Sequence, residues 1–243
     1  MTRLLNGIVA FGSVLLLAVT LIGAGFAAVA IPDAATATLS RALSGCDQPN
    51  TPFTADELAS IAIAGKHYTF DDNDREKLDA AIAKANAAAE ADGRATASTR
   101  ESAARNLPAD AISHLDDVYR VASVAKPALV IVAMLCIAGL AHVAVRISRR
   151  ALGRTLMAGG GLVLAAFCAL GAWAAIDFDG LFAAFHSLFF QAGTWTFPYD
   201  SLLITLYPTA FWMGMGGIWL AVTCGLSILA VLIGFTLGHK QHD

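Results

Sequence analysis

Four long apolar runs divide the chain. Leu4 to Ile31 is broken only by Asn6, Ser13 and Thr20, and Pro127 to Ile147, Leu156 to Phe178 and Ala210 to Leu237 follow it. At about 1.5 Å of rise per residue, each run is long enough as a helix to cross roughly 30 Å of hydrocarbon. The alternation predicts transmembrane helices over 1–31, 124–147, 155–178 and 210–238. Between and after them it predicts an extracytoplasmic cap over 32–123, a cytoplasmic loop over 148–154, an outer aromatic segment over 179–209 and a cytoplasmic tail over 239–243. The expected fold class is an all-α integral membrane protein with four transmembrane helices, a mostly helical cap and an outer interfacial aromatic helix. The first run could also be a cleaved signal peptide, but it exceeds the usual apolar core of such peptides and is taken as a retained anchor.

Within the cap, Thr54-Ala55-Asp56-Glu57 reads as a capping box, which predicts a short helix stopped by Gly65. Asp72 or Asn73 is expected to cap a second helix that runs to about Asp92 and ends at Gly93. Its thin apolar stripe is Leu78, Ile82 and Ala85. Arg94 to Arg105 is polar and expected to be mobile. Pro108 opens a third helix from Ala109 to about Ser123. So weak an apolar pattern implies little core of its own. Pro127 is suited to the first position of the next span, and Gly214, Gly216, Gly217 and Gly225 are expected to allow close packing of the fourth.

Composition sharpens this picture. The chain is 57% hydrophobic and 14% charged with a net charge of -3, so nucleic acid is not an expected partner. The four cysteines form no metal-ligand spacing, and neither a disulfide framework nor a metal or other cofactor is expected. Arg146, Arg149, Arg150 and Arg154 cluster between the second and third runs. By the positive-inside rule that loop and both termini are cytoplasmic, so the cap and the aromatic segment share the outer side.

The stretch from Asp177 to Trp212 holds seven of the thirteen phenylalanines and two of the four tryptophans. Phe182, Phe185, Phe189 and Phe190 recur at spacings of three and four, so Leu181–Phe190 reads as an interfacial amphipathic helix carrying His186. His114 is the other histidine expected near the outer end of a span. Asp117 lies at i+3 from it, where it could bond the imidazole, and Asp116 and Arg120 are spaced for a surface ion pair. His67, His142, His239 and His242 read as surface or interfacial residues. No serine-nucleophile elbow, phosphate-binding loop or dinucleotide fingerprint is present.

Two segments carry a resemblance. His114-Leu115-Asp116-Asp117-Val118 before a span, and Phe185-His186-Ser187-Leu188-Phe189-Phe190 with Gly193-Thr194-Trp195-Thr196-Phe197, Asp200, Leu203, Ile204 and Pro208, resemble the bacterial lipoprotein intramolecular transacylase family. The four-span layout with an outer polar insertion is similar too, and Asp71 to Arg105 departs most. The resemblance implies a membrane acyltransferase. It would move the sn-2 acyl chain of a diacylglyceryl-cysteine lipoprotein to the α-amino group of the same cysteine, giving a lyso-form lipoprotein. It also implies His114 and His186 as the catalytic positions, and a diacylated lipoprotein N-terminus and membrane lipid as partners.

The chemistry suits the residues. An imidazole can take the proton of an attacking amine and return it to a leaving alkoxide, while a second N–H donor stabilises the oxyanion. The expectation is His114 as base, supported by Asp117, and His186 as acid or oxyanion donor, although the residues alone do not fix that order. Phe182, Phe185, Phe189, Phe190, Trp195, Phe197 and Asp200 are the expected substrate-binding residues. A lipid acyltransferase or esterase with another acyl donor, a non-enzymatic lipid-binding scaffold and a small transporter are the alternatives. The scarcity of polar residues in the spans disfavours the last.

Overall fold

A computed structural model describes residues 2–48, 50–95 and 104–239. Among these the protein is all-helical. In chain order the helices are α1 (Thr2–Ala30), α2 (Asp33–Leu43), α3 (Ala55–Phe70), α4 (Arg75–Ala91), α5 (Ala109–His142), α6 (Arg149–Ile176), α7 (Phe178–Ser187), α8 (Leu202–Leu206) and α9 (Thr209–His239). Four helical stretches are long and apolar enough to cross a membrane: α1, α5 with the π-turn Val143–Ile147 that continues it, α6 and α9. The chain forms two compact units. One comprises 1–28, 125–177 and 218–243, the other 29–124 and 178–217.

The first unit holds the lipid-crossing lengths. Leu17, Leu21, Cys136, Val163, Phe167 and Ala230 form its buried centre, while Phe11, Ile131, Leu135, Leu229 and Leu232 are exposed, as lipid-facing residues are. Of the glycines expected to allow close packing, Gly214 does so: a Cβ there would lie 2.8 Å from the Leu39 side chain of α2. A Cβ on Gly153 would lie 2.5 Å from the carbonyl oxygen of Gly234, so α6 and α9 meet there backbone to backbone. By contrast, Cβ atoms on Gly216, Gly217 and Gly225 would meet nothing within 4 Å. The expected loop at 148–154 reduces to Ser148, whose hydroxyl caps α6 by accepting from the Ala151 N–H at 3.0 Å. Arg149, Arg150 and Arg154 therefore stand on a helix, which arginine favours.

The second unit has a larger core than its sparse pattern suggests. Leu58 and Ile61 from α3, Leu78 and Ile82 from α4, Ala111 and Leu115 from α5, and Leu202 and Leu206 from α8 are buried together. Segments far apart in sequence pool their apolar residues. Backbone and side-chain bonds fasten α8 in place: Ser44 Oγ donates to Leu206 O at 2.6 Å, Gly45 N to Thr205 O at 2.8 Å, and Tyr207 Oη to Ala62 O at 2.8 Å. The capping box at Thr54 and Glu57 is formed. Gly65, expected to stop α3, is instead inside it, because a Cβ there would lie 2.6 Å from the Tyr207 hydroxyl. The glycine makes room for that tyrosine.

Other boundaries differ for local reasons. Asp74, not Asp72 or Asn73, caps α4, accepting from the Glu76 and Lys77 amides, while Asn73 takes a left-handed φ of 53°. Helix α2 was not expected. The ends of the polar stretch are tied down: Arg94 meets both carboxylate oxygens of Glu57 at 2.8 and 2.9 Å, and buried Arg105 bonds Asn86 at 2.6 Å and Glu90 at 2.8 Å. The middle of that stretch, like Lys240 and His242, lies outside the described residues. Finally, Ala109 to His142 is one continuous helix with Pro127 inside it. Proline removes one amide bond of a helix this long, so the interruption expected there does not occur.

Candidate active site

Every part of the candidate site belongs to the second unit. His114 lies on the second turn of α5, on the side of Ala111 and Leu115, which face the core, and is only 8% exposed. The charges Asp110, Asp116, Asp117 and Arg120 share this first part of the helix, and the lipid-crossing length begins after Val124. His186 sits in the last turn of α7 with Phe178, Phe182 and Phe185 on the same helix, which starts before the expected Leu181 and ends at Ser187, short of the expected Phe190. The two imidazoles lie ring to ring, with centroids 6.2 Å apart and planes inclined by 27°.

Aromatic rings enclose the pair. Phe190 stands 5.0 Å from His114 and 5.7 Å from His186. Phe182 is 4.0 Å and Trp195 4.8 Å from His186, Phe185 is 5.7 Å from it, and Phe197 is 5.5 Å from His114. A turn brings the last two residues back: the amides of Phe189 and Phe190 bond His186 O, Thr194 bonds Gln191 O, and Gly193 takes φ +86°, which glycine allows. Of the expected residues, Phe189 stands one ring further out, touching Phe185 and Phe190. Asp200 is exposed on the Pro198–Ser201 turn, and no described hydrogen bond or ion pair joins it to the histidines. Trp212, not singled out from sequence, packs on Phe182 with centroids 5.9 Å apart. Its position thirty residues after Phe182 carries no periodic signal.

The polar side of the site differs from expectation. Asp117 pairs with Arg120 at 2.5 Å rather than with His114, and Asp116 accepts from the Tyr68 hydroxyl at 2.5 Å rather than pairing with Arg120. The imidazole at 114 turns toward the rings, away from its carboxylate neighbour. His186 Nδ1 lies 2.8 Å from Phe182 O. A carbonyl only accepts, so Nδ1 carries the hydrogen and Nε2 keeps its lone pair.

Burial holds both imidazoles neutral. At His114 burial, followed by the nearby His186, lowers the pKa to about 4 against a weak opposing pull from Asp117. Burial also lowers that of His186, opposed by the Phe182 carbonyl. Two buried nitrogens in this cluster, His114 Nδ1 and Trp195 Nε1, have no protein hydrogen-bond partner. Leaving such a group unpaired costs on the order of 1–3 kcal/mol, so each nitrogen is open to a bound partner. Among the described residues no group of three or more His, Cys, Asp or Glu side chains could hold a metal ion.

The sequence model of the family described as lipoprotein intramolecular transacylase Lit matches residues 92–212. That span takes in His114, His186 and the whole aromatic stretch. The chain belongs to this family. It is therefore an acyltransferase, and its four apolar helices make it a multi-pass membrane protein. Solved structures of similar fold include the membrane-integral lipoprotein intramolecular transacylase Lit from Bacillus cereus, with 18% identity, 98% of this chain and 97% of that chain covered, and a TM-score of 0.72. Two more are of the same Bacillus cereus protein, one with a histidine-to-arginine and one with a histidine-to-alanine mutation. Each has 17% identity and a TM-score of 0.68, with 99% of this chain covered and 95% and 96% of theirs. No curated protein matches the chain. At such identities these structures speak for the fold of this transacylase; the family match and the site geometry carry the rest.

Proposed function

We propose that the protein transfers the sn-2 acyl chain of a diacylglyceryl-cysteine lipoprotein to the α-amino group of the same cysteine, leaving a lyso-form lipoprotein. The observation that carries this is the facing pair of neutral histidines, 6.2 Å apart within a wall of aromatic rings. The amine attacks the ester carbonyl and forms the C–N bond. His186, its Nδ1–H anchored on Phe182 O, accepts the amine proton at Nε2 and then gives it to the glyceryl alkoxide as the ester C–O bond breaks. His114 donates to the oxygen that becomes negative. This reverses the roles expected for the two histidines, because Asp117 does not support His114.

Donor and acceptor are parts of one molecule, so holding the lipid in a ring-closing shape is the main task, and proximity supplies several kcal/mol, up to about 7–11 in well-oriented cases. Phe182, Phe185, Phe190, Trp195 and Phe197 are suited to that, with Phe189 at the margin. Their bulk also lowers the local polarity, which strengthens each hydrogen bond to the oxyanion. The second unit faces the extracytoplasmic side and both chain ends the cytoplasm, a topology supported by the arginines from 146 to 154. A membrane preparation of the protein, incubated with a synthetic diacylglyceryl-cysteinyl peptide, is expected to yield the N-acyl, S-monoacylglyceryl isomer of unchanged mass. Fragmentation mass spectrometry locates the chain on nitrogen. Release of free fatty acid instead would identify an esterase and overturn the proposal.

A further inference from the structure

We infer that the indole N–H of Trp195 is a catalytic group, the second hydrogen-bond donor to the acyl carbonyl oxygen alongside His114. This rests on the transacylation proposed above and adds a residue to it.

Three observations converge on this atom. Trp195 Nε1 is buried and has no protein acceptor, although an indole N–H is a donor only and nearly always finds one when buried. The only other unpartnered buried nitrogen among the described residues is His114 Nδ1, in the same aromatic cluster. The indole also lies against His186, with ring centroids 4.8 Å apart and planes inclined by 33°. Two stranded polar nitrogens flank the imidazole that moves the proton. A ground-state carbonyl takes a hydrogen bond weakly, whereas the oxyanion of the tetrahedral state takes two strongly.

The local fold is consistent with a placed donor. The chain leaves α7, is turned by the Gln191–Thr194 bonds and the positive φ of Gly193, and returns Trp195 to the ring face of His186. Phenylalanine would supply the packing at this position. What it lacks is the N–H.

The step balances without an outside reagent. As the amine nitrogen bonds to the carbonyl carbon, the carbonyl π pair moves onto oxygen, which accepts from Trp195 and His114. When that pair returns, the bond to the glyceryl oxygen breaks, and the departing alkoxide takes from His186 the proton that the amine gave up. Trp195 and His114 keep their own protons throughout.

The test compares the wild-type protein, reconstituted in lipid, with Trp195→Phe and with a variant carrying β-(3-benzothienyl)alanine at 195. The latter replaces the ring N–H by sulfur at nearly constant shape. With the synthetic diacylglyceryl-cysteinyl peptide, kcat is expected to fall by about 10²–10³ in both variants, with KM changed less than about threefold and thermal unfolding unaltered. If Trp195→Phe unfolds, the sulfur isostere decides. An unchanged kcat in either folded variant overturns the role of Trp195 alone. A rise in KM with kcat retained also overturns it, since that marks packing of substrate rather than stabilisation of the oxyanion. A wild-type protein that gives no N-acyl product overturns the transacylation reading and this role with it.

Discussion

His67 and His186 both belong to the second unit and lie near the ends of helices, yet their surroundings are opposite. Both ring nitrogens of His67 face carboxylates: Nδ1 meets Asp71 closely and Nε2 lies 3.2 Å from Asp33, which also takes an ion pair from Lys66 at 2.6 Å. The Lys66 ammonium holds the Asp33 carboxyl below its ordinary range, and Lys66 also donates to Ile31 O at 2.7 Å. His67 is thus one link in a partly exposed clasp, with every polar atom engaged. His186 is half-buried among rings, with one nitrogen anchored and the other free for chemistry. A saturated histidine holds structure together, whereas one with an anchored and an open nitrogen is equipped for proton transfer.

The sharpest test of that contrast is to remove each imidazole. His186→Ala and His114→Ala are each expected to lower single-turnover N-acylation by roughly 10³-fold or more, within or beyond the usual range for acid–base groups. Product quantification by mass spectrometry reads this directly, and a loss under tenfold in either would break the distinction.

Next in size is Phe190→Ala, which takes away the ring that touches both histidines. A drop of about 10–100-fold in kcat is expected from loosened geometry, with Phe190→Leu recovering part of it. Equal activity in Ala and wild type would show that the wall does not position anything.

Acidity separates the regions further. His114 and His186 have folded pKa values below the unfolded value of about 6.5. The unfolded chain therefore binds more protons as pH falls below about 6.5, and these two residues contribute a loss of stability on that side. Stability is retained above that pH, and most of the His114 loss develops between about 6.5 and 4. A thermal-unfolding series from pH 7.5 to 4.5 should show a smaller acid decline in His114→Asn than in wild type. In the rate profile, activity is expected to rise with deprotonation of the substrate amine, near pH 7.7–8.0 on reference values, and any inflection from His186 is expected below about 6.5.

The smallest effects fall at the saturated groups. His67→Ala should leave N-acylation within about twofold and lower stability by up to roughly 1 kcal/mol, since its contacts with Asp33 and Asp71 are partly exposed. Asp117→Asn should leave activity within about twofold as well, because its carboxylate partners Arg120. A tenfold loss there, read in the same product assay, would restore Asp117 as the support of a catalytic base.

Much of the fold could be read along the chain. The four spans, the Thr54–Glu57 capping box, the buried stripe of Leu78, Ile82 and Ala85, and the end of α4 near Gly93 all rest on spacing within one helix, and local spacing is what a sequence displays. The two histidines and most of the ring wall were also within reach, through aromatic density and family resemblance. Local signals failed where a distant residue decided. Gly65 looked like a stop until Tyr207 needed its space, and Asp117 looked like a partner for His114 until Arg120 took it. The five-residue α8 is too short to show a period, and its Ser201 cap and packing hold it, whereas α2 has no side-chain cap at its N-terminus and is held by packing against α3.

By itself, then, the chain determined where hydrocarbon-length helices form, which segments stay polar, and that aromatic bulk gathers around His186. Hydrophobicity and periodicity are properties of neighbouring residues. Tertiary structure alone decided that His114, seventy-two positions earlier, would face His186 across 6.2 Å, that the Phe182 carbonyl would set the tautomer, and that Trp195 would be left with an unpartnered N–H. Those outcomes depend on how far-separated segments fill shared space and on which polar groups burial leaves without a mate.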